Sequence, residues 1–284
     1  MKYIFFGTPE FSAIILDKLI SGGFTPEAVV CNPDRPVGRK KIITPPPVKA
    51  RIMNYELGIK DRVEVLQPEK LDSRFMFHVS SFKPDVFIVA AYAKIIPKEI
   101  LRIPRLGAIG VHPSLLPKHR GSSPIQAAIL GGDEETGITL FLLDEKIDHG
   151  PILATGNRQL ANSETCKTLI KKLAELAGDL LIETLPKFFT GEIEPTPQDE
   201  LLATYTKKFA AGDAFVDPEL LTKARDEGGA AAIEIDRKIR ALNPEPGVWT
   251  TISGKRMKLI RAELRDNRLV LKEIQKEGGI PRKF

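Results

Sequence analysis

Cysteine is scarce in this 284-residue chain, with Cys31 and Cys166 the only two. Their separation fits neither a metal-ligand spacing nor a disulfide framework. A zinc module and a disulfide-stapled secreted scaffold are therefore excluded, and a reducing cytoplasm is the expected location. No metal is expected. Long apolar runs are missing as well. The opening Met1-Lys2-Tyr3-Ile4-Phe5-Phe6-Gly7 is apolar for only a few residues, too few for a signal peptide or a membrane span. Neither an exported nor a membrane form is expected. The dinucleotide fingerprint is absent too. Gly7-Thr8-Pro9-Glu10 lacks its second and third glycines, and no acidic residue closes the second strand directly, which argues against a nicotinamide cofactor. The chain has no internal repeat and no low-complexity tract.

What is present is an ordinary globular composition, 42% hydrophobic and 28% charged, long enough for two domains and a sizeable core. The net charge of +5 is unevenly placed. From Leu201 to Phe284 there are 17 Lys and Arg against 12 Asp and Glu, so the first two hundred residues are close to neutral. A basic C-terminal part on a neutral body suggests a polyanionic partner, because Lys and Arg displace counterions from phosphates. A merely solvated basic surface is the plainer alternative.

The hydrophobic pattern predicts a strand over residues 2–6, a turn at Gly7-Thr8-Pro9, and a helix carrying Phe11, Ile14, Ile15 and Leu19. Ala28-Val29-Val30-Cys31 reads as a second strand and residues 32–41 as a polar loop. Asp85 to Ala91 is a near-continuous apolar run of the kind that buried parallel strands show. A long helix is expected from Ser163 to about Thr184 and another from Ala232 to Leu242. Short strands are expected at 248–252, 257–260 and 269–271. The predicted fold class is α/β, a Rossmann-like open parallel sheet followed by a small C-terminal β-barrel (OB-like) domain. The boundaries expected are 1–190 for the first domain, 191–209 for a linker and 210–284 for the second.

Two apolar runs end at chemically useful residues. Leu106 to Val111 delivers His112, after which Pro113-Ser114-Leu115-Leu116-Pro117 turns the chain. Gly137 to Leu143 leads to Asp148-His149-Gly150. Open α/β sheets bind ligands beyond the carboxyl ends of their strands, so both residues are expected on the functional edge as an acid/base pair. A lone histidine would more often be a satisfied core imidazole, and it is the pairing that favours catalysis. His119 and His149 read as loop residues near the site. Ser114 is expected to bond backbone at the turn.

These segments resemble the methionyl-tRNA formyltransferase family along most of the chain. The resemblance is carried by Phe6-Gly7-Thr8-Pro9-Glu10-Phe11, by the basic loop Pro33 to Lys41, by Ala91-Tyr92-Ala93-Lys94-Ile95-Ile96-Pro97, by His112 to Pro117, by Asp148-His149-Gly150, and by Ile239 to Pro244 with Trp249. It implies transfer of a formyl group from 10-formyltetrahydrofolate to the amine of initiator methionyl-tRNA, with His112 and Asp148 catalytic. In that chemistry a cationic His112 would stabilise the oxyanion, with Asp148 orienting the ring and favouring its charge. The resemblance implies folate contacts from Tyr92, Ala93 and Ile95 and from Ser114, Leu115, Leu116, Pro117, Lys118 and His119. It implies tRNA contacts from Arg39, Lys40 and Lys41, with Lys207 in the linker a weaker member of that group. A monomer is expected.

Two departures stand out. The family pattern has asparagine two residues before the histidine, where its amide donates to the formyl oxygen, and here that position is Gly110. The C-terminal domain is also short, so its barrel is expected to have fewer strands. The competing readings are an amino-sugar N-formyltransferase, disfavoured by the basic loop, and a weakly active or inactive folate- or tRNA-binding homologue left by Gly110. The presence of His112 and Asp148 argues against the second.

Overall fold

The structure is a computed structural model and describes residues 1–38, 40–55 and 58–283. In chain order its first elements are β1 (Tyr3–Gly7), α1 (Glu10–Ser21), β2 (Ala28–Val30), β3 (Arg35–Val37), β4 (Ile42–Thr44), α2 (Pro47–Met53), β5 (Glu64–Leu66), α3 (Ser73–Ser81), β6 (Val86–Ala90), α4 (Lys98–Leu101) and β7 (Ala108–His112). Then come β8 (Arg120–Gly121), α5 (Pro124–Gly131), β9 (Glu135–Leu142), β10 (Ile152–Gln159) and α6 (Cys166–Phe189). The last are β11 (Tyr205–Thr206), α7 (Pro218–Asp226), α8 (Ala230–Leu242), β12 (Trp249–Ile252), β13 (Lys255–Arg265), β14 (Arg268–Lys276) and β15 (Arg282–Lys283). The chain divides into two compact units. One is built from residues 1–120, 137–157 and 171–204, the other from 121–136, 158–170 and 205–284.

The first unit holds a seven-stranded sheet in the order β10-β9-β7-β6-β1-β2-β5. Strands β5, β2, β1, β6 and β7 run parallel, and β9 joins β7 antiparallel. The sheet is thus mostly parallel, with reversal confined to one side, a common arrangement in doubly wound folds. Alternate residues of the strands bury opposite faces. One face carries Ile4, Phe6, Ala28, Val30, Phe87 and Ala108 in a cluster with Phe75, Val79, Tyr92 and Ile100. Phe6 lies at the centre of an aromatic group, 5.0 Å from Phe87 and 5.4 Å from Tyr92 between ring centroids.

The turn between β1 and α1 is tight for a visible reason. Ser12 Oγ accepts from the Thr8 amide at 3.2 Å and donates to the Ala90 carbonyl at 2.6 Å, tying the first turn of α1 to the end of β6. A Cβ at Gly7 would lie 2.6 Å from that of Ser12, so only glycine lets the helix approach. Ala91 then takes φ +49°, and the chain leaves β6 towards Tyr92.

Residues 32–41, expected as a polar loop, include half of a β-hairpin in which β3 pairs antiparallel with β4. Its outward residues Val37, Ile42 and Ile43 are exposed, so no apolar burial marks the strands in the sequence. In the second unit α8 packs against α5, α7 and β13. The strands expected for a small barrel form a four-stranded antiparallel sheet, β12-β13-β14-β15. They run longer than their apolar cores suggest, because β13 and β14 continue as a hairpin to Arg265–Arg268. Asp266 and Asn267 turn it at φ +50° and +61°, the left-handed pair that matches strand twist in two-residue hairpins.

Candidate active site

His112 ends β7, pointing from a strand that runs parallel to β6. Asp148 reaches it by a route the sequence does not suggest. Strand β9 is antiparallel to β7, pairing His112 with Thr139 and Ile109 with Leu142, so its carboxyl end leads away from the histidine. The loop 143–151 then doubles back. The Leu142 amide donates to the Pro151 carbonyl at 2.9 Å, and a Cβ on Gly150 would sit 1.8 Å from the Leu142 carbonyl oxygen. Only glycine fits there. On this returning loop Asp148 adopts φ +47° and brings Oδ2 to 3.6 Å from His112 Nδ1.

The other ring nitrogen is committed. His112 Nε2 lies 2.9 Å from the His119 carbonyl, which can only accept, so Nε2 carries a hydrogen and Nδ1 is the nitrogen facing the carboxylate. His112 is buried, and desolvation pushes its pKa below the ordinary imidazole value. The Asp148 charge and the His119 carbonyl oppose that shift without cancelling it. The positive charge that the sequence reading gives His112 while it stabilises the oxyanion is therefore one the ring would gain during the reaction. The buried position favours the neutral ring.

The turn after His112 is held from several sides. The Ser114 hydroxyl donates to the Lys118 carbonyl at 2.5 Å. Thr139 Oγ1 accepts from the Leu116 amide at 3.0 Å and donates to the Ser114 carbonyl at 2.7 Å. The His119 and Arg120 amides, with His119 at φ +61°, donate to the Thr204 hydroxyl and carbonyl at 2.8 Å each. Ser114 and Leu116 are buried, so their side chains brace the turn, while Lys118 is exposed and Leu115, Pro117 and His119 are half-buried.

Of the second segment expected to meet folate, Ala93 and Ile95 are exposed and Tyr92 is buried. The Tyr92 hydroxyl has no hydrogen-bond partner, and neither has Asn32 Oδ1, the residue that follows β2 and Cys31. Orphaned buried polar atoms are costly, and a water or a polar ligand would satisfy these two. Tyr92 follows β6 and Asn32 follows β2, both on the edge where His112 ends β7. Burial raises the Tyr92 hydroxyl to about 12, so it is a donor.

Phe141 fills the space beside Gly110. The two are register partners across β7 and β9, and a Cβ at Gly110 would lie 2.4 Å from Phe141 Cε1 and 2.6 Å from Cζ. Gly110 is not in the left-handed region, so the ring and not the backbone excludes a side chain.

Lys40 and Lys41 are exposed at the tip of the β3–β4 hairpin, and Arg39 lies outside the described residues. The hairpin is anchored at its root. Lys49 Nζ donates to Asp34 at 2.8 and 3.0 Å and to Gln67 at 2.7 Å, and the Gln67 amide donates to Asp34 at 2.8 Å and to the Asn32 carbonyl at 2.9 Å. Lys207, exposed in the second unit, pairs with Asp213 at 2.5 Å. Sequence reasoning missed Arg120, Gln198 and Glu200. Arg120 is fully buried, and its guanidinium donates to Gln198 Oε1 and to both Glu200 oxygens. A full charge beside Gly121, at the end of the turn, was the available signal.

Comparison with known proteins gives a consistent result. The chain matches a family model described as formyl transferase over residues 1–185 and one described as the formyl transferase C-terminal domain over 229–279. It is 41% identical over 264 residues to a methionyl-tRNA formyltransferase of Halalkalibacterium halodurans, covering 93% of this chain and 78% of that one. An Enterococcus faecalis protein of the same name is 40% identical over 259 residues, with coverage of 91% and 78%. Among solved structures, a methionyl-tRNA formyltransferase from Clostridium thermocellum superposes with a TM-score of 0.61 at 18% identity, covering 97% and 98% of the two chains. HypX from Aquifex aeolicus in complex with tetrahydrofolic acid gives 0.65 at 17% identity over all of this chain and 46% of its own. At these identities the structural matches speak to fold alone.

Proposed function

The chain belongs to the formyl transferase family, and we propose that it transfers a formyl group from 10-formyltetrahydrofolate to the amino group of initiator methionyl-tRNA. The observation that carries the chemistry is His112, buried with Nε2–H held by the His119 carbonyl and Nδ1 turned to Asp148 at 3.6 Å. The choice of tRNA rests on relatives bearing that name at about 40% identity over nine-tenths of the chain.

The folate supplies the formyl group. An amine that attacks it gains a positive charge and must lose a proton, while the formyl oxygen gains negative charge. Neutral His112 takes that proton at Nδ1. Asp148 stabilises the imidazolium, whose charge offsets the developing oxyanion until the proton passes to the leaving nitrogen. No side-chain nucleophile is required. Tyr92, Ala93 and Ile95 and the turn 114–119 form the folate-binding edge, with the Tyr92 hydroxyl a donor to the ligand's polar rim.

Residues 1–190 serve as the catalytic domain, 191–209 as the linker and 210–284 as a tRNA-binding domain. Arg39, Lys40, Lys41 and Lys207 contact tRNA phosphates. The protein works as a cytoplasmic monomer, and among the described residues no helix is long and apolar enough to cross a membrane. Gly110 favours a second reading within the same family, slow transfer, because it offers no side-chain donor and Phe141 closes the space. Loss of one preorganised oxyanion donor lowers kcat by about a hundred- to thousandfold.

The test is direct. Initiator tRNA charged with methionine, incubated with 10-formyltetrahydrofolate and the protein, should give formylmethionyl-tRNA, and nucleotide-linked amino sugars should give no product. A higher kcat/KM on the amino sugar would overturn the assignment. Folate and tRNA binding without any turnover would leave the non-catalytic homologue.

A further inference from the structure

Three consecutive residues of the returning loop are tied to one patch of the segment 198–200. Gln198 Nε2 donates to the Asp148 carbonyl at 3.0 Å and to the Gly150 carbonyl at 2.8 Å. Between them, His149 Nδ1 donates to Asp144 at 2.6 Å, and its Nε2 lies 3.5 Å from Glu200. The Gln198 amide is itself oriented. Its oxygen accepts from Arg120 Nε at 3.0 Å and from Nη2 at 2.7 Å, which leaves only the NH₂ to face the loop. Arg120 has no freedom to turn away. It is fully buried, and its remaining donors reach Glu200 at 3.0 and 2.6 Å. These bonds hold the Glu200 carboxyl below its usual range.

Asp148 needs such support. It is not glycine, yet its backbone sits at φ +47°, a conformation that persists only where surroundings enforce it. The carboxylate's distance from His112 depends on that backbone turn. We infer that Gln198, set in place by the buried Arg120, is a positioning residue that fixes the Asp148 backbone so that its carboxylate meets His112. The inference rests on the reading that Asp148 serves the reaction. It adds a group some fifty positions away in sequence that touches neither substrate nor the reacting atoms.

Gln198→Leu removes both donors to the loop. Gln198→Glu keeps the shape and the Arg120 partner but also has no hydrogens to give, so it tests the same loss where the leucine variant fails to fold. Each is compared with wild type, with Asp148→Asn and with the corresponding double variant, in formylation of charged initiator tRNA as a function of pH. Three results are expected. The kcat of each Gln198 variant falls at least tenfold while KM for the folate stays within twofold. In Gln198→Leu the acid limb of the pH profile moves to lower pH, in the direction that Asp148→Asn also moves it, because the Asp148 carboxylate no longer supports protonation of His112; Gln198→Glu adds a negative charge of its own beside the loop and is read by kcat and KM. In the Asp148→Asn background the Gln198 substitution costs less than threefold. If it costs the full factor there too, Gln198 acts by some other route and the inference fails while the dyad stands. Unchanged kcat in a folded Gln198→Glu protein would equally overturn it. An Asp148→Asn enzyme as fast as wild type would instead remove the dyad on which the inference depends.

Discussion

The turn 112–120 and the hairpin 35–44 are both short irregular segments beyond the sheet, and they are built in opposite ways. The turn is closed in. His112, Ser114 and Arg120 are at most 6% exposed, and hydroxyls of Thr139 and Thr204 and the Gln198 amide brace it and the loop beside it. The hairpin is open. Val37, Ile42 and Ile43 are 57–62% exposed, Lys40 and Lys41 face solvent, and the Asp34–Lys49–Gln67 cluster anchors only its base. The contrast follows from the two tasks proposed. Proton transfer needs groups fixed to a fraction of an ångström, so the site commits buried hydrogen bonds to rigidity. Phosphate recognition is long-ranged and tolerant of position, so charge at the end of a tethered arm suffices.

The strongest test of this contrast is Asp148→Asn. It should lower kcat by about a hundred- to ten-thousandfold, because the proton transfer through His112 loses the carboxylate that supports its charged form, with folate affinity by titration within twofold of wild type. A small effect on kcat with a large one on folate affinity would put Asp148 on the binding side. The hairpin should respond in binding and not in rate. Changing Arg39, Lys40 and Lys41 to Gln should raise KM for tRNA, leave kcat unchanged at saturating tRNA, and flatten the salt dependence of binding. Each duplex phosphate that the arm no longer neutralises should reduce the log–log slope by about 0.9. A fall in kcat at saturation would mean that the arm takes part in alignment.

A third prediction sharpens the rigid half. Gly110→Asn alone should not speed the enzyme, because the new Cβ would meet Phe141 at 2.4 Å. Phe141→Leu removes Cε1 and Cζ, the atoms in the way, and Gly110→Asn with Phe141→Leu should raise kcat about tenfold over Phe141→Leu alone, part of what one oxyanion donor supplies. Rates unchanged by the pair would show that another group already serves the formyl oxygen. The smallest effect concerns pH. If catalysis needs neutral His112, kcat/KM should fall as pH drops through the His112 pKa. Burial should place that limb below about 6.5, the ordinary imidazole value. Asp148→Asn should move it lower still, since the carboxylate is what raises it. A limb above 6.5 would mean that the Asp148 charge outweighs burial.

Much of the scaffold is legible in the sequence because it is local. Strands β1, β6 and β7 are short apolar runs, and α1 and α8 carry helical spacing, so composition along a few residues is enough. The hairpin escapes notice because β3 and β4 bury nothing. Strand β5 escapes because Glu64–Leu66 is only three residues long, and one of the three is charged. His112 and Asp148 can be named from the runs that precede them. The reversal of β9 cannot, because strand direction is set by what lies across the ladder. Gln198 lies further out of reach. Its role depends on a pairing with residue 148 that no periodicity reports, and in sequence it is one more polar residue among Pro195, Pro197 and Asp199.

The Gly110–Phe141 pair also constrains how such an enzyme can change by single substitutions. A mutation at 110 to any residue with a side chain meets the ring at once, and making room for it costs about 1–3 kcal/mol of strain. A mutation of Phe141 to a smaller residue leaves a cavity, which is destabilising but survivable in a protein with stability in reserve. The less costly order of events between these two positions is therefore set by the ring. The easier route out of this state thins position 141 before anything is added at 110, and the easier route into it loses the side chain at 110 before the phenyl ring enters. Positions 110 and 141 are thus one evolutionary character written in two places, and a substitution scored at either without the other measures the clash or the void.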